Sequence, residues 1–305
     1  MRAIAGHTRQ RRRSWAGTWG ILALTGALWQ AGARAEPMLG TDGEGPAAPV
    51  ATTVPVLRTA FSQLVTHRSY PDDDRLARLQ AAAQQAFATA DQPWPSGELL
   101  LLIDRHPQSQ EAVVALASDR GEWEVIGSSL VSTGKPGRFD YFYTPLGVFA
   151  HGDHHSFRAE GTFNDNGIRG YGLKGLRVFD LGWVAAEKGW PPSGTIPIRL
   201  QVHATDPVLE KRLGTPASKG CVRIDSGLNR FLDQYSVLDA RFEASQVETG
   251  VRPWFWLPDR TPTPWSGRWV VVVEVPTVTP PPEAPDTTPA SAPASSASAA
   301  AGSVD

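Results

Sequence analysis

The 305-residue sequence contains one cysteine, Cys221, and two methionines. A lone thiol excludes an intrachain disulfide and every zinc cluster built on several cysteines. Basic residues are scarce beyond the first 35 positions. Residues 1–35 carry six arginines and no acid, which leaves 23 basic against 31 acidic residues in the remainder, a balance of −8. Such a chain repels phosphate backbones, so no nucleic-acid partner is expected. The segment from Pro276 to Asp305 lacks Lys, Arg and aromatics, and holds seven Pro, eight Ala, five Ser and four Thr. It has too little apolar surface to offset the cost of ordering, and 276–305 reads as a disordered tail. No internal repeat is visible. The rest is an ordinary globular mixture, 41% hydrophobic and 20% charged over the whole chain, able to fill a core.

Arg2, Arg9, Arg11, Arg12 and Arg13 precede an uncharged stretch from Ser14 to Ala33. Ala33-Arg34-Ala35 then supplies a small-x-small cleavage pattern. This layout predicts a secretory signal peptide over 1–35 and an exported protein of the periplasm or cell envelope, with no stable membrane insertion after cleavage. An unpaired thiol in an oxidising compartment calls for a reason, because exported cysteines usually pair.

Residues 36–97 read as a Gly/Pro/Ala/Thr-rich linker followed by a helical region. Leu76, Leu79, Ala83 and Phe87 recur at helical steps after Pro71-Asp72-Asp73-Asp74, and this helix either packs on the main domain or spaces it from the export site. Residues 98–275 form the main domain. Strands are expected at Leu99–Asp104, Glu111–Ala117, Trp123–Ser132, Gly147–Ala150, Arg177–Phe179, Ile196–His203 and Trp269–Val275. The turn Asp119-Arg120-Gly121-Glu122 predicts a hairpin between the second and third. One helix is expected near Ser226–Tyr235, capped by Asp225 or Ser226. The fold class is mainly β, with few short helices.

The chemistry concentrates around the cysteine, in His203-Ala204-Thr205-Asp206, Leu213-Gly214-Thr215-Pro216-Ala217 and Ser218-Lys219-Gly220-Cys221-Val222-Arg223. A thiol attacks as the thiolate, and a free cysteine is only about 3% ionised at pH 7. His203, at the end of a strand, is placed to deprotonate Cys221 after a chain reversal. Gly220 permits close backbone approach, so the N–H groups of Gly220 and Cys221 are candidate oxyanion donors. Lys219 and Arg223 add positive potential favouring thiolate, and Arg suits a two-pronged grip on a carboxylate. Arg223 equally well pairs with Asp225 or Asp206. Ser218 either orients His203 or closes a turn.

These residues resemble the active-site signature of the L,D-transpeptidase (YkuD-domain) family: Ser218 to Arg223, with fourteen residues between His203 and Ser218. Leu101-Leu102-Ile103-Asp104 is similar to that family's opening strand. Val131-Ser132-Thr133-Gly134-Lys135 and Thr144-Pro145-Leu146-Gly147-Val148-Phe149 resemble its two upstream motifs, and Leu213 to Ala217 its approach to the cysteine. The likeness covers about 98–240. Two positions depart from it: Ala204 stands where the family has Gly, and Lys219 where it has His. The resemblance implies a β-sandwich or mixed sheet, and attack by Cys221 on the bond before the terminal D-alanine of a peptidoglycan stem tetrapeptide. Transfer of the acyl group to an amine gives a 3→3 crosslink. It implies His203 as the base, Gly220, Arg223, Ser218 and Lys219 as oxyanion or substrate contacts, and neither metal nor cofactor.

Other features have plainer readings. His151-Gly152-Asp153-His154-His155 looks like a metal cluster, yet side chains this close in sequence rarely converge on one ion. Asn164-Asp165-Asn166-Gly167 fits a turn better than a calcium loop. Trp254, Trp256, Trp265 and Trp269 either stack on sugars or pack on the sheet, the latter being favoured. Phe179-Asp180-Leu181-Gly182-Trp183 is a candidate cleft wall. The alternatives to a transpeptidase are an L,D-carboxypeptidase of the same fold, a papain-like protease (disfavoured because those enzymes place Cys before His) and a wall-binding module with an inactive site. Oligomeric state is not legible.

Overall fold

A computed structural model of the chain describes residues 52–154 and 156–277. The expected signal peptide, most of the linker and nearly all of the expected tail lie outside these residues. Among them, no helix is long and apolar enough to cross a membrane.

The described chain is a mainly β sandwich. Its first sheet contains β1 (Leu99–Asp104), β2 (Glu111–Ala117), β3 (Trp123–Leu130), β4 (Gly147–Ala150) and β9 (Trp269–Val273), in the order β3-β2-β1-β9-β4. The second contains β5 (Phe157–Arg158), β6 (Arg177–Glu187), β7 (Thr195–Ala204) and β8 (Val222–Ile224), in that order. Strand β1 reads Leu-Leu-Leu-Leu-Ile-Asp and is buried throughout, as expected for a strand covered on both faces. Leu99, Leu101 and Ile103 join the core between the sheets, where they meet Phe179 and Leu181 of β6, Leu200 and Val202 of β7, and Val222 and Ile224 of β8. Leu100 and Leu102 point the other way, into a second core beneath a helix. The hairpin between β2 and β3 forms as the turn predicts, with Gly121 at φ +78°.

Five helical segments complete the fold. They are α1 (Val54–Leu64), α2 (Asp73–Thr89), a 3₁₀ turn (Pro207–Arg212), α3 (Ser226–Gln234) and α4 (Ala240–Thr249). The question left open by the sequence is answered: both N-terminal helices pack on the sandwich. Helix α2 starts at Asp72, whose carboxylate accepts the Arg75 N–H, and buries Leu79, Ala83 and Phe87 against the outer face of the first sheet. Buried Arg75 binds Asp104 and, at 2.9 Å, Glu111, which ties this helix to β1 and β2. Helix α1 delivers Leu57 and Phe61 to the core between the sheets, Phe61 edge-on to Phe231 of α3.

Five elements differ from expectation. Strand β6 runs to Glu187 rather than Phe179, because the irregularity between Asp180 and Trp183 and Gly182 at φ +85° interrupt its alternation without ending it. Strands β5 and β8, the 3₁₀ turn and helix α4 are additional. The apolar stripe that marks a helix is missing from α4, which buries no residue.

Candidate active site

His203 lies on β7, and Cys221 immediately precedes β8, the parallel strand beside it. The β7–β8 register pairs Val202 with Val222 and His203 with Arg223. Because Leu200, Val202, Val222 and Ile224 enter the core, the alternation of side chains sends Arg199, Gln201, His203, Cys221 and Arg223 to the opposite face. That face carries the site. Strand β6 adds Asp180, whose partner in the register is Gln201.

The thiol of Cys221 faces the backbone of β7. Its Sγ lies 3.7 Å from the Arg199 carbonyl oxygen. Burial pushes the thiol above its ordinary value; the Gln201 backbone N–H and Arg223 pull the other way, and Asp180 adds to the rise. The sequence expectation that positive neighbours favour thiolate therefore holds for Arg223 but not for the balance, in which burial wins. Lys219 reaches away to Asp140 at 2.6 Å and to the Tyr141 ring.

His203 is buried. Its Nδ1 lies 2.8 Å from the Ala204 carbonyl oxygen. A carbonyl only accepts, so Nδ1 carries the proton and Nε2 keeps its lone pair. Burial lowers the imidazole to about 4, aided by Arg223 and opposed by the Ala204 carbonyl. His203 is thus a neutral base at neutral pH. No hydrogen bond joins it to Cys221 in this resting arrangement, among the described residues, and apo geometry of this kind tightens when substrate binds. The Tyr171 ring stands edge-on to His203 with centroids 5.0 Å apart, and its hydroxyl donates to Gln201 Oε1 at 3.1 Å. Burial and the nearby Cys221 raise the Tyr171 phenol. Gln201 in turn donates to Asp180, which accepts from Arg199 at 2.7 Å.

The loop that carries the cysteine is caged by the two upstream motifs. Thr144 Oγ accepts the Gly134 N–H at 2.9 Å and donates to the Gly220 carbonyl at 2.8 Å. The Ala217 and Ser218 N–H groups both donate to the Thr133 carbonyl, and the Arg223 N–H donates to Ser132. Ser218 closes a turn rather than reaching His203: its hydroxyl donates to the Cys221 carbonyl at 2.6 Å and accepts the Gly220 N–H at 3.0 Å. That bond corrects one expectation, since the Gly220 N–H is engaged and not free for an oxyanion. Gly220 itself is required by space and backbone. At φ +137°, an added Cβ meets Ile198 Cδ1 at 2.9 Å. Arg223 pairs with neither Asp206 nor Asp225. It donates to the Ala217 carbonyl at 3.3 Å.

Tyr171, Gln201 and Arg199 escaped the sequence reading, which had Asp180 only as part of a candidate cleft wall. The available signal for Tyr171 was Gly170-Tyr171-Gly172, an aromatic held between glycines. Gly172, at φ +80°, lies so close to β7 that a Cβ meets the Ala204 Cβ at 2.9 Å.

Two of the candidate metal ligands, His151 and Asp153, have other occupations, and His155 lies outside the described residues. His151 is a satisfied core residue, bonded at 2.7 Å to both the Leu238 carbonyl and Ser156. Asp153 pairs with Arg241. Asn164 forms the expected turn, accepting N–H groups from Asn166 and Ile168. His67, Glu210 and Asp225 do converge within 4.8 Å of one another. Their oxygens are engaged by the protein: Asp225 caps α3 through Leu228 and accepts from Thr66 and His67, while Glu210 accepts from Ser226. They act as a clasp on the start of α3. Of the four tryptophans, Trp256 and Trp269 are buried and Trp265 packs on the core, whereas Trp254 is 71% exposed.

No protein-family model matches the chain, and no curated protein sequence matches it. Solved structures do. One is an L,D-transpeptidase from Mycobacterium smegmatis, 14% identical, with a TM-score of 0.23 and 58% of each chain covered. Another is an L,D-transpeptidase in complex with imipenem, 18% identical, with a TM-score of 0.28, covering 57% of this chain and 58% of that one. The chain thus spans 58% of the length of either neighbour. At these scores the chemistry of this chain rests on its own geometry.

Proposed function

We propose that the protein is an exported peptidoglycan L,D-transpeptidase with Cys221 as nucleophile and His203 as base. The observation that carries this reading is the pair itself: a neutral imidazole with a fixed tautomer on β7, and a thiol at the entry to the parallel strand β8 beside it. His203 Nε2 takes the thiol proton as Sγ attacks the carbonyl joining the third residue of a stem tetrapeptide to D-alanine. The C–N bond breaks, His203 returns the proton to the departing D-alanine amine, and a thioester remains. An amine of a second stem then attacks, loses its proton to His203 and releases the thiol, leaving a 3→3 crosslink. With the Gly220 N–H engaged, the Cys221 N–H is the backbone donor left for the oxyanion, and Arg223 supplies positive charge beside it. Substrate binding that expels water from around the pair strengthens these interactions by lowering the local dielectric.

The test is mass spectrometry of purified disaccharide-tetrapeptide incubated with the protein, beside a Cys221→Ala control. The reading predicts loss of D-alanine and a crosslinked dimer, both absent from the control. Loss without a dimer assigns a carboxypeptidase. D-alanine release that persists in the control overturns the reading.

A further inference from the structure

Next to the cysteine loop is a cavity of about 540 Å³ lined by Lys135, Arg138, Tyr141, Arg212, Thr215 and Ala217 among others. Three cations line it, and a fourth borders it, because Arg223 donates to the carbonyl of the lining residue Ala217. None of the four meets a carboxylate within salt-bridge distance among the described residues, although their neighbour Lys219 finds Asp140. Arg138 lies over the Tyr141 ring at 5.3 Å. This concentration of unpaired positive charge stands in a chain whose residues after position 35 carry a balance of −8. Like charges gathered on one wall repel, and Arg212 disfavours the charged form of Arg223, an effect that adds to burial there.

We propose that this cavity is an anion subsite that binds a carboxylate of the donor peptide and thereby aligns its scissile bond with Cys221. The proposal rests on the function proposed above and names what the donor must carry: an acidic group on the acyl side, clear of the bond that breaks. Exposed guanidinium groups at Arg138 and Arg212 offer paired N–H donors matched to a carboxylate, and Lys135 offers a movable point charge. Arg223, half-buried between cavity and thiol, links the subsite to the reacting atoms.

The experiment uses the full chain and two peptide pairs. One pair is a tetrapeptide donor with a free carboxylate on its second residue and the same peptide amidated there. The other pair lacks the terminal D-alanine and cannot react. Equilibrium binding of the unreactive pair is measured for wild type, Arg138→Gln, Arg212→Gln and the double variant, at low and high salt. The acidic peptide is expected to bind about tenfold more tightly than its amide. This preference shrinks with each substitution, vanishes in the double variant and weakens with salt. D-alanine release from the reactive pair is followed in parallel, where KM carries the same preference and kcat does not. Equal affinity for acid and amide in wild type, or a preference unmoved by the double substitution, overturns the subsite. If neither tetrapeptide releases D-alanine, the proposed function fails while the binding series still decides the subsite.

Discussion

On the Arg223 side of Cys221 the walls are cationic and open, made of Lys135, Arg138 and Arg212 on exposed loops. On the Tyr171 side the phenol ring covers His203 and is itself braced by Phe157 at 5.5 Å, and the charges present, Asp180 and Arg199, pair with each other. One side offers long-range attraction that salt screens; the other removes water and sets the protonation of the pair. His203 and Cys221 belong to the second environment, and burial favours the neutral form of both. On the proposed function, reactivity is therefore expected to be acquired with substrate.

Replacing the base breaks the aromatic side most severely. His203→Gln is expected to lower D-alanine release by a factor on the order of 10² to 10⁴, with the fold retained. In wild type the acid limb of kcat/KM follows His203, which must be neutral to accept a proton. Its midpoint is expected near the lowered value of about 4, rather than near the ordinary 6.5. A limb at 6.5 contradicts the buried base.

Stability carries the same signature. His151 and His203 are both lowered to about 4, burial being the main cause for each. The unfolded chain binds their protons at higher pH than the folded one, so the stability they protect is complete above about 6.5 and is lost as pH falls toward 4. The loss reaches about 3 kcal/mol for each imidazole at most, from a shift of roughly 2.5 units. Denaturant melts between pH 4 and 7 measure it; a flat profile contradicts the assignment.

Gly220→Ala tests the cage around the cysteine. The added Cβ collides with Ile198 and the positive φ is strained, at a cost of about 1–3 kcal/mol. Acyl transfer is expected to fall, and Ile198→Val, which removes the colliding atom, restores part of it. A smaller effect separates burial from hydrogen bonding at Tyr171. Tyr171→Ala uncovers the thiol and speeds its alkylation at pH 7, while Tyr171→Phe keeps the cover and changes the rate little. Equal rates in all three proteins show that the ring does not shield Cys221. Trp254→Ala sets the floor of the series: the side chain is 71% exposed, and its loss shifts stability by no more than about 0.5 kcal/mol.

The cysteine loop is the more legible in sequence. The motifs at 131–135 and 144–149 and the cysteine loop are local strings, and the structure shows why they occur together: Thr133 and Thr144 hold the turn that presents Cys221. Arg138 and Arg212 stand in no motif. The aromatic side is assembled from long-range register: Arg199 and Gln201 are unremarkable until the β6–β7 pairing brings them to Asp180, and Tyr171 is placed by a glycine loop with no periodicity. The fold divides in the same way. Helix α2 and the β2–β3 hairpin announce themselves through a stripe and a turn. Helix α4 lacks the stripe, and the far half of β6 lies beyond a bulge.

The central claim is that Cys221 carries the acyl group. Intact-protein mass spectrometry during turnover of the tetrapeptide tests it directly. The account predicts a transient adduct equal to the donor minus D-alanine, mapped to the peptide containing Cys221 and missing from Cys221→Ala. D-alanine release with no adduct on Cys221 under single-turnover quench, or an adduct that survives in Cys221→Ala, contradicts it.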